Sequence, residues 1–501
     1  MAGMWNELSR TFSEVSYYDA TPIIILAATV LWLLLWSSVS RNYHTRDRLP
    51  VPPGSFGFPF IGQTVGFILS SRTSAGNRQW LEQQRDKYGP LFKWRFIGYP
   101  MLTMVQAEGN KWVFQNEGTS NHIFWPFQLA SLFGPDSAIV KSGEQHKLSR
   151  RYLNAFFDHA AVSRYLNSVE RNAVRHFADH WQEKDELLAL DMTHLYTFST
   201  ICNLLISLQD GPQMDELLEY FDRWAKGLQC FPINLPGFTY YKALKARKWI
   251  LEMLGGLLEQ RRREIADGRV SAGENMDILS SLLTVPDEKG NLPSDSYIKD
   301  NLLLILIAGF DTSSTTLALI IYFIAKNPHV YEQLVQEHKL ILKKKRDTGR
   351  EDQLLTKEDI SAMKYTWRVV QETLRMQPAT VGSFRKTTMD LEYKGYRIPK
   401  GWLLNWNSHC SHYNPQYFKD PFTFDPSRWE KPPVPFSYLP FGGGSHICLG
   451  NEFVKIEMLV FIHHLVRRYR WSLIHPTEEI VRDPFPRTRS RTSIRLTKVT
   501  N

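Results

Sequence analysis

From Ala20 to Ser40 the chain carries no charged residue, and the middle of this stretch reads Ile23-Ile24-Ile25-Leu26 through Leu33-Leu34-Leu35-Trp36. Roughly 20 apolar residues suffice to cross a bilayer, so residues 20–40 are expected to form an uncleaved transmembrane anchor. A cleaved signal peptide is the competing reading, but no small-x-small site leads into a mature start. Glu7, Glu14 and Asp19 outweigh Arg10 before the span, and Arg41, Arg46 and Arg48 follow it. The positive-inside bias then leaves residues 1–19 in the lumen and everything downstream in the cytosol. Residues 41–62 contain Leu49-Pro50-Val51-Pro52-Pro53-Gly54 and read as a stiff, extended hinge.

Beyond the hinge the pattern is mainly helical. Leu91–Gln106 alternates around Gly98-Tyr99-Pro100, which predicts a hairpin. From about Gly143 to Ala266 the period is that of helices. Ser294–Ala325 is apolar almost all round and could be read as a second membrane crossing. Asp311 and the hydroxyls of Thr312, Ser313, Ser314, Thr315 and Thr316 interrupt its centre, and an ionisable group there is costly in lipid. A long helix through a packed core fits better, with the polar cluster facing a site. A helix is expected from Thr356-Lys357-Glu358-Asp359 to Met376, ended by Pro378. Short strands follow around Leu391–Ile398, then an irregular stretch Pro415–Pro440 and a last helix over Asn451–Tyr469. With no repeat and no long linker, residues 63–501 read as one large domain, mainly α with small β-sheets.

Composition is that of a globular protein: 43% hydrophobic and 22% charged residues permit a substantial core. Cys202, Cys230, Cys410 and Cys448 lie far apart, which argues against a disulfide framework and for a reducing compartment. The net charge of +9 raises nucleic acid as a partner, but no nucleic-acid-binding motif is present. Arg261-Arg262-Arg263 and Lys343-Lys344-Lys345-Arg346 read as solvated faces. The collective positive surface suits an acidic protein partner or an anionic membrane face.

The strongest local feature is Pro440-Phe441-Gly442-Gly443-Gly444-Ser445-His446-Ile447-Cys448-Leu449-Gly450, immediately before a helix. A lone cysteine is more often a small buried hydrophobe than a ligand. A glycine loop before a helix can also cradle phosphate, but the spacing is not G-x-G-x-x-G and no P-loop lysine follows. Glycines allow a tight loop and close approach to a flat ligand, and a helix N-terminus beside sulfur favours the thiolate. These residues resemble the haem-binding signature of the cytochrome P450 superfamily, F-x-x-G-x-R-x-C-x-G. Phe441, Gly444, Cys448 and Gly450 match, and His446 stands where Arg is usual.

Two further segments strengthen the resemblance. Glu372-Thr373-Leu374-Arg375 is the family's E-x-x-R, whose i, i+3 spacing places both charges on one helix face. Phe424-Asp425-Pro426-Ser427-Arg428-Trp429 resembles the segment whose Arg completes a buried Glu–Arg–Arg network, here Glu372, Arg375 and Arg428. Ala308-Gly309-Phe310-Asp311-Thr312-Ser313 resembles the family's A/G-G-x-D/E-T-T/S, and by that resemblance Thr312 and Asp311 deliver protons to iron-bound dioxygen. The resemblance implies a cytochrome P450 fold holding heme b (iron protoporphyrin IX), with Cys448 as axial ligand of the iron. It places Arg150, Arg385 and His446 on the haem propionates, with His146 replacing a Trp beside them.

Pro52-Pro53-Gly54-Ser55-Phe56-Gly57, Gly450-Asn451-Glu452-Phe453 and Leu459–Trp471 look most like a plant group that oxidises terpenoids, sterols and hormones. Family resemblance puts substrate contacts at Phe124, Trp125 and Phe127, at Leu303, Leu304 and Ile307, and at Thr380 and Val381. Arg487 and Arg489 would bring a carboxylate substrate into play only if turned inward. The implied activity is hydroxylation of a hydrophobic terpenoid or sterol-like substrate. It would use O2 and electrons from an NADPH-cytochrome P450 reductase at the endoplasmic reticulum membrane. A reductase-independent haem-thiolate isomerase or dehydratase would have no use for Asp311-Thr312. A non-catalytic haem- or lipid-binding protein would be expected to have lost one of the three motifs.

Overall fold

The computed structural model describes residues 26, 28–30, 49–58, 61–71, 73, 75–157, 159–269, 277–286, 290–482 and 485–499. The segment 1–19 and most of the expected anchor lie outside the described residues. Of residues 20–40, Leu26 and residues 28–30 are described; they are helical and exposed.

Alternation in the early β-formers yields the expected hairpin, β1 (Leu91–Phe96) and β2 (Tyr99–Met104). Phe96 pairs with Tyr99, and the two linking residues, Ile97 and Gly98, have φ of 46° and 81°. Positive φ at both positions matches the right-handed twist of the flanking strands. Three more strands, β3 (Asn121–Phe124), β4 (Gly382–Thr387) and β5 (Leu403–Asn407), complete a sheet of order β1-β2-β5-β4-β3. The β2–β5 pairing is parallel and the others antiparallel.

The proline segment does not stand clear of this sheet as a free spacer. Lys93 N donates to Pro53 O at 2.7 Å and Arg397 N to Pro50 O at 2.9 Å. Gly54, at φ +130°, lies so close to β1 that a Cβ would sit 2.1 Å from Lys93 O. Prolines lack an N–H, yet their carbonyls still cover an otherwise open sheet edge. The part of the expected hinge from Pro50 to Gly54 is therefore packed against the body.

The helices that frame the site are, in chain order, α1 (Ala107–Gln115), α2 (Gly143–Phe157), α3 (His159–His180), α4 (Ala189–Ile206), α5 (Asp295–Lys326), α6 (Pro328–Asp347), α7 (Lys364–Met376) and α8 (Asn451–Arg468). Ser294 caps α5 by accepting from Tyr297 N at 3.2 Å. At 32 residues and 1.5 Å rise it is about 48 Å long. It is the one helix among the described residues long and apolar enough to cross a membrane. Leu302, Leu306, Phe310 and the run Leu317–Ile321 on it are nonetheless buried, so it is the central strut of the core.

The helix expected from 356 to 376 is broken at Met363, which has ψ 53°. A Thr356–Asp359 capping box starts the short first piece, Lys357–Ala362. The second begins where Glu337 of α6 accepts from Tyr365 N at 2.6 Å and Thr366 N at 2.9 Å. A carboxylate reaching in from another helix satisfies the free N–H groups of a new N-terminus. Local sequence gives no sign of it.

α7 delivers Glu372, whose side chain is fully buried. Arg375 donates to it twice at 2.8 Å, Arg428 Nε at 2.9 Å, Trp429 Nε1 at 3.0 Å and Asp425 N at 3.0 Å. Arg375 also reaches the carbonyls of His412, Pro421 and Thr423. Removing the carboxylate strands two guanidinium groups away from water, which typically costs about 3–5 kcal/mol. Glu372→Ala is therefore expected to lower unfolding stability by that amount, read from urea unfolding midpoints. A loss below about 1 kcal/mol, the range of exposed pairs, contradicts the role.

Candidate active site

The glycine loop leads from Leu439 to the first turn of α8. Cys448 N donates to Phe441 O at 3.0 Å, and Val454 N donates to Gly450 O at 2.8 Å. A Cβ on Gly443 would meet the Phe114 ring of α1 at 2.8 Å, and one on Gly444 would meet Glu117 Oε2 at 2.3 Å. These two glycines thus answer first to α1 and to the turn after it. The loop's entry is held by His412, which accepts from Leu439 N through Nε2 at 2.9 Å. Its other nitrogen, Nδ1, must then carry the proton and donates to Arg375 O at 2.9 Å. Burial pushes the His412 pKa down to about 3, so the ring stays neutral.

Cys448 is exposed to a cavity of about 370 Å³ that opens in part to solvent. Its volume falls within the roughly 300–1,000 Å³ of ordinary small-molecule sites. Phe441, Gly450 and Leu449 share the Cys448 wall, and Leu304, Ala308, Gly309 and Thr312 of α5 form another. Arg150 and His146 of α2, Arg385 of β4 and His446 line the same space. Arg150 uses Nη1 on Ile447 O at 2.6 Å, and Arg385 uses Nη1 on Ser383 Oγ at 2.8 Å. The Nη2 groups of both guanidiniums make no hydrogen bond among the described residues. A mostly apolar cavity with a thiol on one wall and unused cationic donors on its edge suits an iron-bearing ring with anionic substituents.

The cytochrome P450 family model matches residues 52–495. The chain belongs to the cytochrome P450 family. It is 36% identical to a beta-amyrin 28-monooxygenase of Panax ginseng, over 89% of this chain and 92% of that one. It is 37% identical to a taxane 13-alpha-hydroxylase of Taxus cuspidata, over 93% of this chain and 94% of the other. Its fold is similar to that of a retinoic-acid-bound cyanobacterial CYP120A1, with a TM-score of 0.78 at 28% identity. That match covers 90% of this chain and 100% of the solved one. This P450 is accordingly a haem monooxygenase, which uses dioxygen on a hydrophobic substrate and draws electrons from a redox partner.

Within the P450 site the sequence-predicted residues separate into two sets. Thr312, Cys448, Phe441, His446, Gly450, Arg150, His146, Arg385, Trp125 and Thr380 line the cavity. Asp311 does not: it turns to α4, where His194 Nε2 lies 3.3 Å from its Oδ1. Phe124 packs on Tyr99, and Phe127 is 82% exposed. Of the residues expected on α5, Leu304 lines the cavity with Ile305 beside it, while Leu303 and Ile307 are buried outside the wall. Val381 lies outside it too and accepts from Ser408 N through its carbonyl at 2.9 Å. The α5 misplacement is a matter of helical phase, since a turn of 3.6 residues moves the facing stripe with each position. Arg489 is exposed and Arg487 is not on the wall, so neither offers a countercharge to substrate.

Two neighbours of the site, His412 and Glu117, escape sequence reasoning, as does the buried Glu457. Glu117 is a single acid in a turn, and its side chain is 2% exposed. Its Oε1 is 2.6 Å from His446 Nδ1 and 2.7 Å from Arg385 Nε. Burial pushes its pKa up, but the His446 hydrogen bond and the Arg385 charge outweigh this and leave it below the ordinary carboxylate value. His146 stacks on His446 at 3.7 Å, and burial lowers its pKa to about 4, with the charges of His446 and Arg150 adding to the effect. For Cys448 the local environment does not favour thiolate as the helix N-terminus suggested. Burial pushes the thiol up, and the Gly450 N–H and Arg150 charge only partly oppose it. Iron coordination is what deprotonates a thiol in such a place.

Glu457 lies on α8, fully buried, with the Ser313 hydroxyl of α5 as the polar group it meets. Burial pushes its pKa up to about 8. The folded chain then holds a proton that an unfolded glutamate releases near pH 4.3. Stability therefore falls as pH rises through this window, by about 1.4 kcal/mol per unit. Glu457→Gln is expected to remove that slope, gaining stability relative to the parent between pH 5 and pH 8 in paired urea titrations. The same pH dependence in both proteins contradicts it.

Proposed function

We propose that this P450 hydroxylates a hydrophobic terpenoid or sterol-like substrate, with Cys448 as the axial ligand of heme b. The observation that carries the reading is one cavity bringing Cys448, the Thr312 hydroxyl and two under-used guanidinium groups together from four separate elements. When bound, the haem supplies dioxygen activation, assisted by electron density from an axial thiolate. Arg150 and Arg385 hold the propionates through the donors that the protein leaves free, and His446 and His146 form the adjoining edge. Phe441 and Gly450 line the cavity beside Cys448.

Thr312 holds the proton at the reacting end of α5. Its Oγ1 donates to Ala308 O at 2.7 Å, a bond it can exchange for a ligand in the cavity. Asp311, one residue before it, faces His194 of α4 on the outer side and relays protons toward Thr312. Trp125, fixed by its Nε1 donating to Ile139 O at 2.8 Å, joins Leu304, Ile305 and Thr380 in shaping an apolar substrate space. The relatives' substrates, beta-amyrin and taxanes, are rigid hydrocarbon-rich terpenoid skeletons of the kind this lining suits. Two electrons per turnover come from an NADPH-dependent cytochrome P450 reductase. A helix over residues 20–40 holds residues 63–501 at the cytosolic face of the endoplasmic reticulum, with residues 1–19 in the lumen.

Co-expression with a plant reductase in yeast strains making triterpene, diterpene or sterol skeletons tests the proposal. An oxygenated product from one skeleton class, absent without the reductase, is expected. Turnover without the reductase, or no oxygenated product from any class, contradicts it.

A further inference from the structure

Beside the haem seat lies a buried carboxylate that no P450 motif in this sequence contains. Glu117 sits in the turn between α1 and β3, and its two oxygens serve three partners. Oε1 meets both Arg385 of β4 and His446 of the glycine loop, and Oε2 accepts from Ser445 N at 3.1 Å. Gly444 has no Cβ where one would overlap Oε2. One side chain thus ties the sheet, the turn and the loop together at the edge where the propionates are proposed to lie.

The consequence for His446 is specific. With Nδ1 on Glu117, its other nitrogen lies 3.3 Å from Lys141 O, in the segment leading to α2. Both ring nitrogens are engaged by protein acceptors. The residue that stands in for the family's arginine is therefore a bridge between Glu117 and the Lys141 carbonyl. Arg385 is affected likewise. Its Nε faces Glu117 and its Nη1 is spent on Ser383 and Phe384, which leaves Nη2 as the donor turned to use. Glu117 decides which donors remain.

Resting on the haem-thiolate reading above, we propose that Glu117 is a positioning residue of the haem seat. It orients Arg385 and His446 and places a fixed negative charge beside the propionates, which favours the ferric state. Groups in this second layer tune a metal centre through hydrogen bonding and charge, and their loss typically costs 10–100-fold in affinity.

The test compares holoprotein of the parent with Glu117→Gln, which keeps the shape and an acceptor, and Glu117→Ala. Each is checked first for haem content and for a thiolate-type spectrum of the reduced carbon monoxide complex. Failure of that spectrum in the haem-loaded parent would count against Cys448 as ligand, and would be separate from anything about Glu117. The deciding readout is the haem reduction potential by spectroelectrochemical titration. Loss of a negative charge beside the propionates is expected to move it upward in Glu117→Gln. Haem transfer to an apomyoglobin acceptor is expected to quicken by about 10–100-fold in Glu117→Ala. An unchanged or lowered potential in Glu117→Gln overturns the proposal, even if the variant melts earlier. A merely structural residue would move the melting temperature and leave the potential alone. If Glu117→Ala does not fold, the potential of Glu117→Gln decides alone.

Discussion

The arrangement of the site depends on a carboxylate that never meets water. Glu372 receives five hydrogen bonds from Arg375, Arg428, Trp429 and the Asp425 amide. A buried ion is tolerable only when its remaining lone pairs are matched as well as its charge, and here they are. The network joins α7 to the irregular segment that follows β5. His412 extends it by accepting from Leu439 N and donating to Arg375 O, so the residue before the glycine loop is fixed from the α7 side. Glu117 fixes the loop's far shoulder from the α1 side. Cys448 is thus held between two buried carboxylates, neither of which touches it.

This support explains how a flexible-looking run of glycines can present one sulfur reproducibly. Gly443 and Gly444 give the loop room to lie against Phe114 and Glu117, so their absence of side chain fixes the loop more than it frees it. The wall facing Cys448 is held in the same indirect way. Thr193 and Thr197 of α4 donate to the Ser314 and Phe310 carbonyls of α5 at 2.9 and 3.1 Å, alongside the Thr312 to Ala308 bond. Hydroxyls from a neighbouring helix and from α5 itself therefore set the turn that carries Thr312. Charge follows the same logic. Cationic donors line the cavity edge, while burial pushes the thiol toward its neutral form. The protein supplies the place for a thiolate and leaves its ionisation to the metal.

Much of this was legible in the residues themselves. The apolar run of α5 with its polar centre, the hairpin at Gly98 and the helix after Cys448 follow from periodicity and turn chemistry. The i, i+3 spacing of Glu372 and Arg375 does place both on one helix face, and Arg428 does arrive from downstream. What escaped was set by tertiary contact. The break at Met363 exists because Glu337 reaches in from α6. The proline segment packs because β1 has an edge to cover. Of the expected α5 residues only Leu304 faces the cavity, joined by Ile305 and not by Leu303 or Ile307, because a stripe on an all-apolar helix carries no phase of its own. Glu117, His412 and Glu457 lack any motif. A lone acid or histidine declares itself only when folding surrounds it.

The central assignment is Cys448 as the thiolate that binds the haem iron. The carbon monoxide difference spectrum of the reduced protein tests it most directly, taken on the parent and on Cys448→Ala at matched haem content. A thiolate-type Soret band in the parent and its complete loss in the variant are predicted. Survival of that band in Cys448→Ala, or its absence from haem-loaded parent protein, would contradict the assignment.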